Sequence, residues 1–210
     1  IFPDRFRDGL TANDTVSGTF FYSDTGTVSR SLQTDWNQYV CDPRSAGACS
    51  GTYSKNFYGG DLQGLRDKLD YLQNLGVTAV YLNPVFESPS NHKYDTTDFS
   101  IIDDNFGDQQ TFISLTTELD NRGMHLILDG VFNHTSSDSI YFDRYSRYPQ
   151  AGACKSQTSP YRTWYYFKDV AAGTGTCVGS TGTPQGATYE SWFGYDSLPK
   201  LRATDPAVRA

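Results

Sequence analysis

One pattern constrains this chain more than any other. A helix-length run closes on a glycine and passes straight into an apolar strand, and it does so twice. In the first copy Leu62, Leu65, Leu69, Leu72 and Leu75 recur at helical spacing behind Asp61, whose short carboxylate suits an N-cap. Gly76 supplies the left-handed residue that ends helices, and residues 77–82 read as a buried strand. In the second copy Phe112, Leu115 and Leu119 mark a helix behind Asp108, Gly123 closes it, and 124–128 is the strand. Near-continuous apolar strands, each entered from a helix, predict an α/β fold with a parallel sheet covered on both faces.

Parallel sheets of this kind carry their chemically useful residues just beyond the carboxyl ends of the strands. Here those positions are 83–98 and 129–134. Asp129 ends a buried strand, which is costly for a carboxylate unless it is paired or hydrogen-bonded. His134 follows closely enough for a turn to bring it back over the same strand end, although a purely structural pair fits equally well. In the other segment Tyr94 offers a ring for stacking and Asp95 an acceptor for hydroxyls. A solvated polar loop is the plainer alternative. His125 precedes its strand, on the side away from these residues, and reads as structural.

The remainder excludes several classes. The chain has 210 residues and a formal charge of −7, with no Lys/Arg cluster to neutralise phosphates, so nucleic acid is not an expected partner. No apolar run approaches the roughly 20 residues of a membrane-spanning helix, and no signal-peptide pattern opens the sequence. Aromatics make up 15% of the chain and Tyr outnumbers Phe, 15 to 13, which argues against disorder. Such rings suit core packing or flat surfaces for sugars. Residues 10–58 and 135–197 are loop-like, rich in Gly, Ser, Thr, Asp and Tyr, and hold the four cysteines. Cys41–Cys49 and Cys154–Cys177 are the simplest disulfides, with free thiols the alternative. If they form, the protein is expected to be extracellular, and the chain a mature product or a piece of a longer one.

One oxygen-rich turn stands apart. Asp8, Asn13 and Asp14, with Gly59 and Asp61 downstream, are hard ligands of the kind Ca²⁺ selects, although the spacing is not that of an EF-hand. An Asx-turn plus a helix cap explains the same residues, and spacing alone favours that plainer role.

Longer strings carry a resemblance. Residues 1–6 (IFPDRF), 59–62 (GGDL), 83–84 (NP), 88–98 (SPSNHKYDTTD) and 129–134 (DGVFNH) resemble the α-amylase superfamily, glycoside hydrolase family 13. Residues 198–202 (LPKLR) are similar to the signature of its neopullulanase, cyclomaltodextrinase and amylopullulanase-like branch. The resemblance implies a TIM-type (β/α) barrel, incomplete here at about the first three strands. Residues 1–6, 77–82 and 125–129 would be those strands. It divides the chain into barrel units at 1–134, a loop-rich B domain at 135–197 and a return towards the barrel at 198–210. The implied activity is retaining hydrolysis of α-1,4, and also α-1,6, glucosidic bonds in starch, pullulan or cyclodextrins.

Carried over by position, Tyr94 matches the tyrosine that stacks on the bound sugar and His134 the histidine that hydrogen-bonds it. Asp129 matches a supporting aspartate rather than the nucleophile. Asp8, Asn13, Asp14, Asp61 and the Gly59 carbonyl match a Ca²⁺ site of that branch, which reverses the reading from spacing. Leu10 departs from it, standing where an Asp ligand is expected. A glycosidase needs two carboxyl groups across the scissile bond. The family's nucleophile, acid/base Glu and their neighbours have no match here. The chain alone is therefore expected to be inactive, with the rest of the catalytic domain as its partner. A non-catalytic glucan-binding fragment and a transglycosylase are the competing expectations.

Overall fold

The structure, a computed structural model, describes residues 1–15, 19–20, 28–29, 31–32, 55–168, 175–177 and 188–209. Two compact units emerge. The first takes the described residues within 1–20, 29–94 and 99–130, and the second takes Val28, 95–98 and those from 131 onwards. The division falls after Gly130, and Val28 and 95–98 join 198–209 in the second unit. Short strands β1 (Thr19–Phe20), β2 (Val28–Ser29), β3 (Ser31–Leu32) and β4 (Asn56–Phe57) precede the first helix, with β3 and β4 parallel.

The leucine stripe forms two helices rather than one. Asp61 caps α1 (Leu62–Asp67), its extended backbone bringing the carboxylate 2.6 Å from the Gly64 N–H. Lys68 leaves helical geometry, with φ −109° and ψ 8°, and α2 (Leu69–Asn74) resumes after it. The stripe survives the break, since Leu62, Leu65, Leu69 and Leu72 are all buried. Leu75 is not. It forms the C-cap just before Gly76, at φ +89°, and the departing chain carries its side chain into solvent. The second copy keeps closer to expectation. Asp108 caps α3 (Gln109–Asn121) through the Thr111 N–H, and Gly123 closes it at φ +66°.

Each helix pattern feeds a strand, β5 (Ala79–Leu82) and β8 (His125–Leu128). The two pair in parallel, from Ala79 opposite His125 to Leu82 opposite Leu128. Between them β6 (Phe86–Glu87) pairs with β7 (Asp98–Ile102). Val80 and Leu82 join the helix leucines, Phe106, Leu115, Leu119 and Met124 in one core. Each fully buried aliphatic side chain there stabilises by about 1.5–3 kcal/mol.

The expectation of a sheet covered on both faces is not met among the described residues. Successive strand side chains point to opposite faces, and the helices cover only one. On the other face Ala79 and Tyr81 on β5, and His125 and Ile127 on β8, are exposed. Residues 1–6 also differ from the strand end expected of them. Only Ile1 joins the ladder, bonding the Tyr81 carbonyl and the Asn83 N–H, because Pro3 starts a tight 3₁₀ turn over Pro3–Arg5.

The second unit is built differently. Strands β9 (Phe167–Lys168), β10 (Gly175–Thr176) and β11 (Thr188–Tyr189) form an antiparallel sheet in the order β10-β11-β9, and α4 (Pro206–Arg209) follows. Its core is aromatic, with Phe142, Tyr165 and Tyr189 packed beside the Cys154–Cys177 disulfide. Both buried phenols find partners, Tyr165 at Thr135 and Tyr189 at the Asp196 carbonyl. The expected Cys41–Cys49 pair lies outside the described residues. Among those described, no helix is long and apolar enough to cross a membrane.

The two helix caps make a graded prediction. Asp108→Ala removes an exposed cap and should cost about 1 kcal/mol. Asp61→Ala also strands buried donors and should cost at least twice as much in denaturant titrations. Equal losses would show that burial of Asp61 adds nothing.

Candidate active site

The parallel pair brings three side chains together at its carboxyl end. The Asp129 N–H bonds the Leu82 carbonyl, which extends the ladder one residue beyond β8 and sets Asp129 beside the end of β5. The Tyr94 hydroxyl donates to Asp129 Oδ2 at 2.7 Å. Desolvation, then this hydrogen bond and the Asp129 charge, push the Tyr94 phenol up to about 12. Tyr94 therefore remains a hydroxyl donor at any physiological pH, while the residue stays 37% exposed. Tyr81, 47% exposed, faces the same carboxylate. Its phenol is also raised, by desolvation and then by Asp129. Sequence reading missed Tyr81 because it sits inside an apolar run. Strand alternation was the available signal, since Val80 and Leu82 point inwards and Tyr81 must point away.

The loop bearing Tyr94 is held by its own side chains. The Tyr94 N–H donates to His92 Nδ1 at 3.1 Å, and Ser90 Oγ lies 3.0 Å from the same nitrogen. A backbone N–H can only donate, so His92 Nδ1 is the acceptor for Tyr94.

Other expected residues lie in the second unit. His134 is buried, forms an antiparallel bridge with Lys200, and lies 3.2 Å from the Asn133 amide through Nδ1. The Trp192 ring packs on it at 5.6 Å between centroids. Trp192 in turn contacts Phe193 and Tyr195, so three partly exposed rings adjoin a buried histidine. Phe193 is 84% exposed and adopts φ +46°, a left-handed conformation that costs a bulky residue energy. This aromatic group was also missed, because nothing in the sequence connects residues 192–195 with His134. Asp95 is fully buried.

The oxygen-rich turn lies in the first unit. Asp61 is buried, and its two oxygens accept from the Gly64, Gly9 and Leu10 N–H groups and the Asn13 amide. Those donors satisfy Asp61 without a metal. Asn13 Oδ1 and Asp14 Oδ1 differ, being buried with no hydrogen-bond partner. Gly59, at φ +75°, lies against Asp14, and a Cβ there would stand 2.3 Å from Asp14 Oδ1. Desolvation, then the charges of Asp8, Asp61 and Asp4, raise the Asp14 pKa. Orphaned hard oxygens in a negative pocket fit Ca²⁺. However, no three Asp, Glu, His or Cys side chains among the described residues are arranged to hold a metal. A cation would rest on Asn13 and Asp14 together with backbone oxygens.

The raised Asp14 pKa has a definite sign. Its contribution favours folding below the usual carboxylate value near about 3.9 and is lost as pH rises through the folded value. Asp14→Asn should therefore raise Tm at pH 7 in chelator and leave it nearly unchanged at pH 3. A lower Tm at pH 7 in chelator would show that the carboxylate is not repelled there.

Comparison with known proteins adds to this geometry. The family described as alpha amylase, catalytic domain, matches residues 1–208. An amylopullulanase of Thermoanaerobacterium saccharolyticum is 45% identical over 97% of the chain, which spans only 15% of that protein. Neopullulanase 2 of Thermoactinomyces vulgaris is 35% identical over the whole chain, which covers 29% of it. Among solved structures, the type III pullulan hydrolase from Thermococcus kodakarensis superposes with a TM-score of 0.77. It is 32% identical, and the match covers all of this chain and 33% of that one.

Proposed function

The chain belongs to the alpha-amylase catalytic-domain family, and on that premise we propose that it forms part of the barrel of an α-glucan hydrolase. The fold is that of a TIM-type barrel, of which this chain supplies only a part. The observation that carries the proposal is the Tyr94 hydroxyl on Asp129, at the carboxyl ends of two parallel strands with exposed tyrosine rings around it. Active sites of such barrels are built at that end.

The substrate is an α-glucan of the starch, pullulan or cyclodextrin type, cleaved at α-1,4 and also α-1,6 bonds. Tyr94 stacks on a sugar ring, and its hydroxyl fixes Asp129. Asp129 has one oxygen engaged by that phenol, which suits a supporting acceptor for substrate hydroxyls better than an attacking nucleophile. In the second unit, taken by itself, His134 beside the Trp192 ring offers a sugar a hydrogen-bond partner, and Asp95 is held buried. The two carboxyl groups needed for glycoside cleavage come from the remainder of the catalytic domain. Residues 1–210 alone therefore have no turnover. The Cys154–Cys177 disulfide supports an extracellular protein.

Calcium would be held by Asn13 and Asp14, with Asp8 and the Gly59 carbonyl nearby. There it would neutralise the crowded carboxylates rather than take part in the reaction. The orphaned oxygens support this, and Leu10 in place of a further acid suggests a weak site.

Two measurements test these proposals. The complete protein should release reducing sugar from starch or pullulan, and Tyr94→Ala should lower kcat/KM at least tenfold, equivalent to about 1.4 kcal/mol. Absence of hydrolysis of starch, pullulan and cyclodextrin by the complete protein would overturn the assignment. Millimolar Ca²⁺ should raise Tm relative to chelator, and Asp14→Ala should abolish that rise. A Tm indifferent to Ca²⁺ would dismiss the metal site.

A further inference from the structure

Lys93, immediately before Tyr94, is in an unfavourable position twice over. Its side chain is completely buried, and its backbone lies at φ +60°, where glycine would sit without strain. A lysine is retained there only if its side chain repays both costs. The ammonium lies 2.8 Å from Asp103 Oδ2 and donates to the Ser88 carbonyl at 3.2 Å. The rings of Phe57 and Phe106 flank it at 5.3 and 5.2 Å.

Asp103 is itself fixed. Its Oδ1 accepts from the Asn105 N–H, its own N–H bonds the Val85 carbonyl, and Oδ2 also accepts from the Ser88 N–H. Both backbone groups of Ser88 are thereby tied to the ion pair. From Ser88 the chain makes a short turn in which Ser90 Oγ accepts from the Lys93 N–H and His92 Nδ1 from the Tyr94 N–H. The turn thus starts and ends on the same buried pair. The left-handed residue reverses the chain one step before Tyr94, so the placement of Lys93 sets the direction in which Tyr94 leaves.

We propose that Lys93 is a positioning residue. Its buried ammonium, clamped between Asp103 and Ser88, shapes the turn that aims the Tyr94 hydroxyl at Asp129. This rests on the Tyr94–Asp129 pair being part of the glucan site, but the geometric claim has a test of its own. A glycine at 93 would satisfy the backbone and leave the loop unanchored.

The experiment uses the complete protein labelled with ¹³Cζ-tyrosine, at neutral pH. Loss of a signal in Tyr94→Phe identifies Tyr94, and Asp129→Ala shows where that signal lies once the phenol has lost its acceptor. In the double variant Lys93→Met/Asp103→Asn neither charge is left buried alone. Its Tyr94 signal should move at least halfway to the position seen in Asp129→Ala. In starch hydrolysis kcat should fall at least tenfold, and adding Tyr94→Phe should lower it less than twofold further. Lys93→Gly/Asp103→Asn relieves the backbone while removing the amine, serves if the first pair does not fold, and should give the same shift. An unmoved Tyr94 signal in a folded variant overturns the proposal, as do losses that multiply with Tyr94→Phe. If the complete protein cleaves no α-glucan, the functional assignment fails and the spectroscopic result still decides the role of Lys93.

Discussion

A carboxylate taken out of water must be given donors, and that requirement organises the first unit. Three buried aspartates meet it at three junctions. Asp4 takes the Tyr58 N–H and the Arg5 guanidinium, which fastens the N-terminal turn to the segment after β4. Asp61 gathers the start of α1 and the turn at residues 9–13 onto one side chain. Asp103 collects Ser88, Asn105 and Lys93. Hydrophobic burial supplies most of the stability, but it is non-directional. The side-chain bonds to the aspartates are directional, and they fix the loops and the start of α1. Replacing one of these carboxylates leaves several donors unmet at once, so each junction fails as a unit rather than bond by bond.

This division explains what could be read in the chain. Caps at Asp61 and Asp108, and stops at Gly76 and Gly123, depend on a few adjacent backbone groups and were legible. The parallel pairing of β5 with β8 followed, because a strand entered from a helix has few alternatives. Three things were not legible. The break at Lys68 leaves no trace in the leucine spacing. Lys93 reads as one more polar residue in a loop, since its partner Asp103 lies beyond an intervening strand. Trp192, Phe193 and Tyr195 meet His134 only through the fold of the second unit. Spacing had favoured an Asx-turn and cap at Asp14 and Asp61, whereas the resemblance favoured calcium. In the structure Asp61 is satisfied by N–H donors, and the buried oxygens of Asn13 and Asp14 are unpartnered.

The open face of the sheet and the character of Asp129 point in the same direction. Tyr81 and Ile127 are aromatic or apolar side chains exposed on parallel strands, which as a class are buried on both faces. In a closed barrel the face opposite the helices is the interior, and its residues are covered by the other strands. Those strands would also end at the same mouth as Asp129. Retaining glycoside cleavage requires two carboxyl groups about 5 Å apart, one of which is free to attack. Asp129 holds a phenol hydrogen bond through one oxygen, and desolvation and that bond push the Tyr94 phenol up to about 12. A carboxylate with one oxygen so engaged suits orienting a sugar better than attacking one. On the proposed reading, the strands that cover this face would also carry the reactive carboxylates to the same mouth.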